Sequence, residues 1–112
     1  MSDPAVPEIS VAKASALLGG PNPPRLIDVR EPDEWAVAHI AGAELIPLSQ
    51  WPALALEKIA GKSQPLLIHC HHGSRSARAT AWLLDQGFEN VTNLAGGIDA
   101  WSVEIDPSVP RY

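Results

Sequence analysis

Residues 65–79 read Pro-Leu-Leu-Ile-His-Cys-His-His-Gly-Ser-Arg-Ser-Ala-Arg-Ala, and the rest of the chain is arranged around them. The apolar run at 66–68 is typical of a strand that is buried on both faces. Six residues follow, from Cys70 to Arg75, and they form a short polar loop. Small and apolar residues then recur at helical spacing, at Ala77, Ala81 and Leu84. We therefore predict a strand, a tight loop and a helix in direct succession.

The only cysteine, Cys70, stands at the first position of this loop. A helix begins with unpaired N–H groups and carries about half a positive charge at that end. A short loop that leads into a helix can aim further N–H groups at one point, which stabilises an anion there. We expect the surroundings to favour the thiolate of Cys70. The alternative, a small apolar residue at a strand end, fits the polar neighbours less well. Four of these are positive or can become so: His71, His72, Arg75 and Arg78.

Length and composition limit the class of protein. A chain of 112 residues has room for one domain with a modest core, and 46% hydrophobic with 19% charged residues suits a soluble protein. The net charge of −5 and the lack of a basic stripe outside the loop argue against nucleic-acid binding. A single cysteine cannot form an internal disulfide. Whatever Cys70 acquires must therefore leave to an outside acceptor.

The first residues show no signal peptide, and no apolar run reaches membrane-spanning length. We expect a cytoplasmic protein with no membrane partner. Residues 1–8 contain two prolines and are predicted to be a flexible arm, and residues 9–112 are predicted to form a single domain.

Helix and strand signals alternate along the chain. Helices are predicted to begin at Ser10, Glu31 and Ser49 and to end at Gly19, Gly42 and Gly61, and a last one covers residues 98–101. Gly87 suits the left-handed position after the helix that follows the loop. Further strands are predicted at residues 26–30, 45–46 and 91–94. This alternation indicates an α/β fold with a parallel sheet covered on both faces.

In such sheets the ligand site lies beyond the carboxyl ends of the strands. Cys70 follows one predicted strand, and Asp28 and Arg30 lie at the end of another. Because Asp28 and Arg30 are two residues apart, they share one side of that strand. We expect them to be buried structural groups near the site rather than catalysts.

Three blocks in this order resemble the rhodanese (sulfurtransferase) family, in its single-domain form. The first is Leu-Ile-Asp-Val-Arg-Glu-Pro-Asp-Glu-Trp at 26–35, with His-Ile-Ala-Gly-Ala at 39–43. The second is the loop Cys-His-His-Gly-Ser-Arg at 70–75, and the third is Leu-Ala-Gly-Gly-Ile-Asp-Ala-Trp at 94–101. The resemblance implies a five-stranded parallel sheet flanked by helices, and a persulfide carried on Cys70.

The resemblance also implies roles for the loop. Cys70 is the expected nucleophile, which takes a sulfane sulfur from thiosulfate or another persulfide donor and passes it to cyanide or a thiol. The remaining loop residues, His71, His72, Gly73, Ser74 and Arg75, are the expected substrate-binding group. Gly73 is expected to have a positive φ or to permit a close approach of the backbone. Arg75 either binds anionic donor groups or shapes the loop, and His71 and His72 either bind substrate or face solvent.

The residues leave rival functions open. Cysteine phosphatases also use a strand, a loop and a helix, but with five residues between cysteine and arginine, whereas four separate Cys70 from Arg75. An arsenate reductase of related fold is disfavoured by the absence of a second cysteine. A non-catalytic binding module on the same fold is the third alternative, and such a module has no need of the cysteine.

We predict no cofactor. We also predict no metal site, because the adjacent residues 69–72 cannot all point at one ion and the sequence contains no second cluster of ligands. Thiosulfate, a desulfurase persulfide and glutathione persulfide remain open as donors. Cyanide, a small thiol and a sulfur-carrier protein remain open as acceptors.

Overall fold

The structure, a computed structural model, describes residues 6–112. It contains five strands: β1 (Glu8–Ile9), β2 (Arg25–Asp28), β3 (Glu44–Leu45), β4 (Leu66–His69) and β5 (Val91–Leu94). All pair in parallel in one sheet, in the order β1-β5-β4-β2-β3. The predicted α/β class and five-stranded parallel sheet are confirmed.

Five helices cover the two faces of the sheet: α1 (Val11–Leu18), α2 (Pro32–Val37), α3 (Ala53–Lys58), α4 (Ser74–Asp85) and α5 (Gly97–Glu104). Successive strand residues point to opposite faces, so the central strands feed two separate cores. Ile27 and Ile68 pack with residues of α3 and α4, whereas Leu26 and Leu67 pack with residues of α1 and α5. Because both faces are covered, β4 is apolar at three consecutive positions.

Helix α4 ends as the sequence predicts. Gly87 adopts a φ of +93°, and its N–H donates to the carbonyl oxygen of Leu84 at 3.1 Å. The N–H of Phe88 donates to the carbonyl oxygen of Leu83, also at 3.1 Å. These two bonds define a Schellman cap, which needs a left-handed residue that glycine adopts without strain.

The predicted arm needs a correction at its end. Residues 1–5 lie outside the described residues, but Glu8 belongs to β1 and is paired with Asn93 of β5. The N–H of Asn93 donates to the carbonyl oxygen of Pro7 at 2.8 Å, and that of Ala95 donates to Ile9 at 2.9 Å. The backbone N–H groups at this edge of β5 therefore find their partners in a strand of two residues. A strand of this length is too short to show a periodic pattern in the sequence.

The helix predicted from Glu31 to Gly42 is shorter than expected. Helix α2 ends at Val37, and Ala38 is extended with φ −162° and ψ 145°. The carbonyl oxygen of Ala38 accepts a hydrogen bond from the guanidinium of Arg30 at 2.7 Å. This contact gives the carbonyl a partner outside the helix. Strand β2 also ends two residues before the predicted limit, at Asp28.

The single helix predicted from Ser49 to Gly61 is wrong. The chain forms a 3-10 turn (Leu48–Gln50), then an extended Trp51 with ψ 154°, and then α3. A residue that precedes proline avoids the helical region, and Trp51 precedes Pro52. The hydroxyl of Ser49 donates to Glu31 and does not cap a helix.

Helix α5 is longer than the predicted helix at residues 98–101.

Within residues 6–112, none of the helices has the length and apolar character needed to cross a bilayer.

Candidate active site

The site lies at the carboxyl edge of the sheet, where Cys70 follows β4. The side chain of Cys70 is buried, with 1% of its surface exposed. Three donor groups lie within hydrogen-bonding distance of its Sγ atom: the N–H of Gly73 at 3.1 Å, the N–H of Ser76 at 3.4 Å and the hydroxyl of Ser76 at 3.3 Å. Three donors around one sulfur atom stabilise a negative charge on it.

Gly73 holds the loop in its tight shape. Its φ is +113°, which confirms the predicted need for a residue without a Cβ. Its carbonyl oxygen accepts from the side-chain amide of Asn93 at 3.2 Å and from the N–H of Ala77 at 3.0 Å. The carbonyl group is thus held away from the sulfur, while the N–H group of the same residue faces it.

Ser76 and Asn93 connect the loop to β5, and neither was singled out from the sequence. The hydroxyl of Ser76 lies within hydrogen-bonding distance of Cys70 Sγ and of the side-chain oxygen of Asn93. A hydroxyl has one hydrogen, so it can turn toward the sulfur when the thiolate forms. Both residues are buried: the exposed fraction is 0% for Ser76 and 2% for Asn93.

The start of α5 fixes the first half of the loop. The N–H groups of Ile98 and Asp99 donate to the carbonyl oxygens of Cys70 and His71, at 2.9 and 3.1 Å. Gly97 comes so close that a Cβ atom on it would lie 2.5 Å from each of these two oxygens. With the carbonyl groups held by α5, the loop can turn its N–H groups toward the sulfur.

Asp28 and Arg30 form a fully buried ion pair under this edge of the sheet. The guanidinium of Arg30 contacts the carboxylate of Asp28 at 2.7 Å and donates to the carbonyl oxygen of Ala38. The imidazole Nε2 of His69 lies 3.6 Å from the same carboxylate. Burial lowers the pKa of His69, so this imidazole is neutral near pH 7. The pair lies near the site and has no contact with Cys70 Sγ.

Arg75, the last residue of the loop, is held by Glu34 of α2. Its two terminal nitrogens donate to the two carboxylate oxygens at 2.7 and 2.9 Å. This bidentate bond raises the pKa of Arg75 and lowers the pKa of Glu34 to about 2. The geometry favours the second of the two roles expected for Arg75, that of shaping the loop. The sequence did not reveal Glu34 as its partner.

Tyr112 joins the buried ion pair to the loop. Its hydroxyl accepts from Arg30 at 2.7 Å and donates to Glu34 at 2.8 Å. Its ring lies parallel to that of His71, with the ring centroids 4.0 Å apart. A continuous set of hydrogen bonds therefore runs from Asp28 through Arg30, Tyr112 and Glu34 to Arg75.

The other polar loop residues lie at the rim. His71 packs between Tyr112 and His72, and burial, with a smaller effect of His72, lowers the pKa of His71. A neutral His71 does not attract an anion by charge. The side chain of His72 is 67% exposed, and its Nδ1 lies 3.9 Å from a carboxylate oxygen of Asp99. Ser74 is exposed at the start of α4. Among residues 6–112, no three His, Cys, Asp or Glu side chains are grouped to hold a metal ion.

The Glu34–Arg75 pair leads to a prediction about stability in acid. The pKa of Glu34 falls from 4.5 to about 2, chiefly through its hydrogen bonds with Arg75. A lowered pKa contributes stability above pH 4.5 that is lost as the pH falls toward 2. Glu34→Gln should therefore lower the thermal midpoint of unfolding at pH 7 by a few degrees. The midpoint of this variant should also fall less steeply than that of the wild type between pH 4.5 and pH 2. Glu57→Gln, on an exposed part of α3, is the control. Parallel midpoint curves for wild type and Glu34→Gln would contradict the prediction.

Comparison with known proteins places this geometry in a family. The family model described as "Rhodanese-like domain" matches residues 10–104. A thiosulfate sulfurtransferase GlpE from Pseudoalteromonas translucida is 34% identical over 86 residues, which cover 77% of this chain and 80% of the relative. The structure titled "Human Single Domain Sulfurtranferase TSTD1" superposes with a TM-score of 0.75 and 28% identity, covering 89% of this chain and 98% of the other.

A rhodanese-like/PpiC domain-containing protein 12 from Arabidopsis thaliana, described as chloroplastic, is 42% identical over 91 residues. The match covers 79% of this chain but 30% of that relative, so the chain spans less than a third of its length. The relatives that match over most of both chains include sulfurtransferases. Because the family model covers most of the sequence, the chain belongs to the rhodanese-like domain family.

Proposed function

We propose that this protein is a sulfurtransferase that carries a sulfane sulfur on Cys70 as a persulfide. The observation that carries the proposal is the set of three donor groups around Cys70 Sγ: the backbone N–H groups of Gly73 and Ser76, and the hydroxyl of Ser76. Donors of this kind stabilise charge without reorganisation during the reaction. The family match and the sulfurtransferase relatives support sulfur transfer as the class of activity.

The first half-reaction loads the cysteine. The thiolate of Cys70 attacks the outer sulfur of thiosulfate, an S–S bond forms to Sγ, and the S–S bond within thiosulfate breaks. Sulfite leaves with the bonding electron pair, and the protein holds an anionic persulfide. Total charge is conserved, and no oxidant is consumed. The name of the GlpE relative supports thiosulfate as a donor.

The second half-reaction returns the thiolate. Cyanide or a thiolate attacks the outer sulfur of the persulfide, and the bond between this sulfur and Cys70 Sγ breaks. The product is thiocyanate or a new persulfide, and the electron pair of the broken bond stays on Cys70. The same N–H groups that stabilised the thiolate before the reaction stabilise it again as the leaving group.

Arg75 supports both steps by holding the loop rather than by binding the donor. Its guanidinium already donates two hydrogen bonds to Glu34, which leaves fewer donors for an incoming anion. Backbone N–H groups are then the main anion-binding groups at Cys70. A loop that is fixed in advance lowers the cost of ordering the site around each substrate.

Steady-state kinetics test this proposal. With thiosulfate and cyanide as substrates, thiocyanate should form, and double-reciprocal plots against one substrate at several levels of the other should be parallel. Parallel lines are expected because each substrate reacts with a different form of Cys70. Intersecting lines would contradict a persulfide intermediate. Absence of thiocyanate, with hydrolysis of an aryl phosphate instead, would support the phosphatase alternative, and absence of both activities would support the binding module.

A further inference from the structure

A groove beside the loop is not used by the reaction as described above. It has a volume of about 410 Å³, within the range of sites that hold small molecules. One wall is the face of α4 that carries Arg75, Arg78, Ala79 and Trp82, at the i, i+3, i+4 and i+7 positions of a helix. The rest of the lining is formed by Leu48, Trp51 and Pro52.

Two tryptophans give the groove a fixed apolar surface. The rings of Trp51 and Trp82 meet edge to face, with centroids 5.7 Å apart and an interplanar angle of 64°. The indole N–H of Trp51 donates to the carbonyl oxygen of Ile46 at 2.8 Å, which fixes the orientation of this ring. Both tryptophans are only partly buried, so part of their apolar surface faces the groove. Such a surface favours an apolar or aromatic ligand group.

The groove also carries a positive charge that the protein does not neutralise. Its lining contains two arginines and no carboxylate, although the chain has a net charge of −5. Arg75 is paired with Glu34. The side chain of Arg78 is exposed, and no carboxylate among residues 6–112 lies within ion-pair distance of it. A ligand that lies on the tryptophans and bears an anionic group would complement Arg78.

The groove lies beside the loop that carries the nucleophile, although Cys70 itself is not one of its lining residues. Arg75 is both the last residue of the loop and a lining residue, and Ala79 belongs to the same core cluster as Cys70. Leu48 is joined to the carboxyl edge of the sheet, because its N–H donates to the carbonyl oxygen of Val29 at 3.2 Å. A molecule in the groove therefore lies on the side of the sheet to which Cys70 contributes its side chain.

We propose that this groove binds the sulfur acceptor and that the acceptor is a small thiol with an apolar body and an anionic group. The apolar body lies against Trp51 and Trp82, and the anion pairs with Arg78. The proposal rests on the function proposed above. The acceptor thiolate attacks the outer sulfur of the Cys70 persulfide, its new S–S bond forms as the bond to Sγ breaks, and the electron pair returns to Cys70.

Three acceptors separate the two features of this ligand. We would use para-(mercaptomethyl)benzoate, which has both features, phenylmethanethiol, which lacks the anion, and mercaptoacetate, which lacks the apolar body. With thiosulfate as the donor, para-(mercaptomethyl)benzoate should have the lowest KM of the three. Arg78→Ala should raise its KM about tenfold, the effect of losing one charge-assisted hydrogen bond, and leave that of phenylmethanethiol unchanged.

Two further variants complete the design. Trp82→Leu, which keeps an apolar side chain in α4, should raise the KM of both aromatic thiols and leave that of mercaptoacetate unchanged. Lys13→Ala removes an exposed positive charge on α1, on the other face of the sheet, and should change none of the three. All variants should retain wild-type turnover with cyanide, which is too small to use the groove. Equal KM changes for the three thiols in Arg78→Ala would overturn the proposal.

A binding measurement separates failure of this proposal from failure of the proposed function. The probe is para-methylbenzoate, which has no sulfur, and the readout is the indole N–H signals of the four tryptophans in an NMR spectrum. The signals of Trp51 and Trp82 should shift, and that of Trp101, in the core on the opposite face, should not. Binding without sulfur transfer to any acceptor would refute the proposed function alone. Transfer without these shifts would refute the groove.

Discussion

Cys70→Ser should reduce thiocyanate production from thiosulfate and cyanide by more than about a thousandfold, because a hydroxyl cannot accept and release a sulfane sulfur as a thiolate does. The chain contains no second thiol that could replace Cys70. The substitution replaces sulfur by a smaller oxygen within the same set of donors from Gly73 and Ser76. We therefore expect the fold to remain, and the loss to appear in turnover.

The control for this experiment is the stability of the variant. Its thermal midpoint and near-ultraviolet circular dichroism should resemble those of the wild type, since Ser76 and the loop N–H groups can donate to the new oxygen. If Cys70→Ser loses both its activity and its native spectrum, Cys70→Ala replaces it in the test, because it removes the thiol and keeps an apolar side chain. Turnover close to the wild type in a folded variant of either kind would contradict a covalent role for Cys70.

Gly97→Ala should have the second largest effect. Its Cβ would lie 2.5 Å from the carbonyl oxygens of Cys70 and His71, a separation that requires one of the two backbones to move. Those carbonyl groups accept the hydrogen bonds by which α5 holds the loop. We expect destabilisation of about 1–3 kcal/mol, as for other overpacked sites. We also expect a loss of kcat/KM of about tenfold or more, measured where the variant is still folded, because the loop donors no longer converge on the sulfur.

Gly42→Ala provides a matched control. Gly97 has a φ of +59° and Gly42 a φ of +84°, so alanine is strained by the left-handed backbone at either position. A Cβ at Gly42, however, would meet no atom within 4 Å. This variant should lose stability and retain the kcat/KM of the wild type in its folded form. Equal activities for Gly97→Ala and Gly42→Ala would mean that the contact of α5 with the loop does not control the site.

The parts of the fold that depend on short-range sequence could be predicted. The buried strand at 66–68, the loop that begins with Cys70 and the cap at Gly87 each follow from residues that lie next to one another. Hydrophobic runs, helix spacing and the conformational freedom of glycine are local properties. The positive φ of Gly73 was predicted for the same reason, since a tight loop needs such a residue.

The contacts that hold the loop could not be predicted, because they join residues far apart in the chain. Glu34 and Arg75 are separated by 41 positions, and Tyr112 lies 78 positions from Glu34. No spacing rule connects such residues, so only the folded sheet brings them together. Ser76 was within reach of sequence reasoning. It lies in the first turn of the predicted helix, where an N–H group and a hydroxyl can both face the preceding loop.

The two remaining differences from the predicted elements have different causes, one local and one that depends on the folded sheet. Trp51 precedes a proline, a position that disfavours helix, and this rule outweighs the apparent cap at Ser49. The strand at Glu8 depends on a free sheet edge, which exists only once β5 is in place. The N–H of Trp51 donates to the carbonyl oxygen of Leu48 within the 3-10 turn, whereas the β1 segment supplies the carbonyl oxygen of Pro7 to the N–H of Asn93 in β5.

The persulfide on Cys70 is the central claim, and the mass of the intact protein tests it most directly. After incubation with thiosulfate and removal of small molecules under non-reducing conditions, the mass should increase by one sulfur atom. Cyanide should then restore the original mass and release one equivalent of thiocyanate, and Cys70→Ser should show neither change. An unchanged mass of the wild-type protein after thiosulfate, or an added mass that cyanide does not remove, would contradict the account.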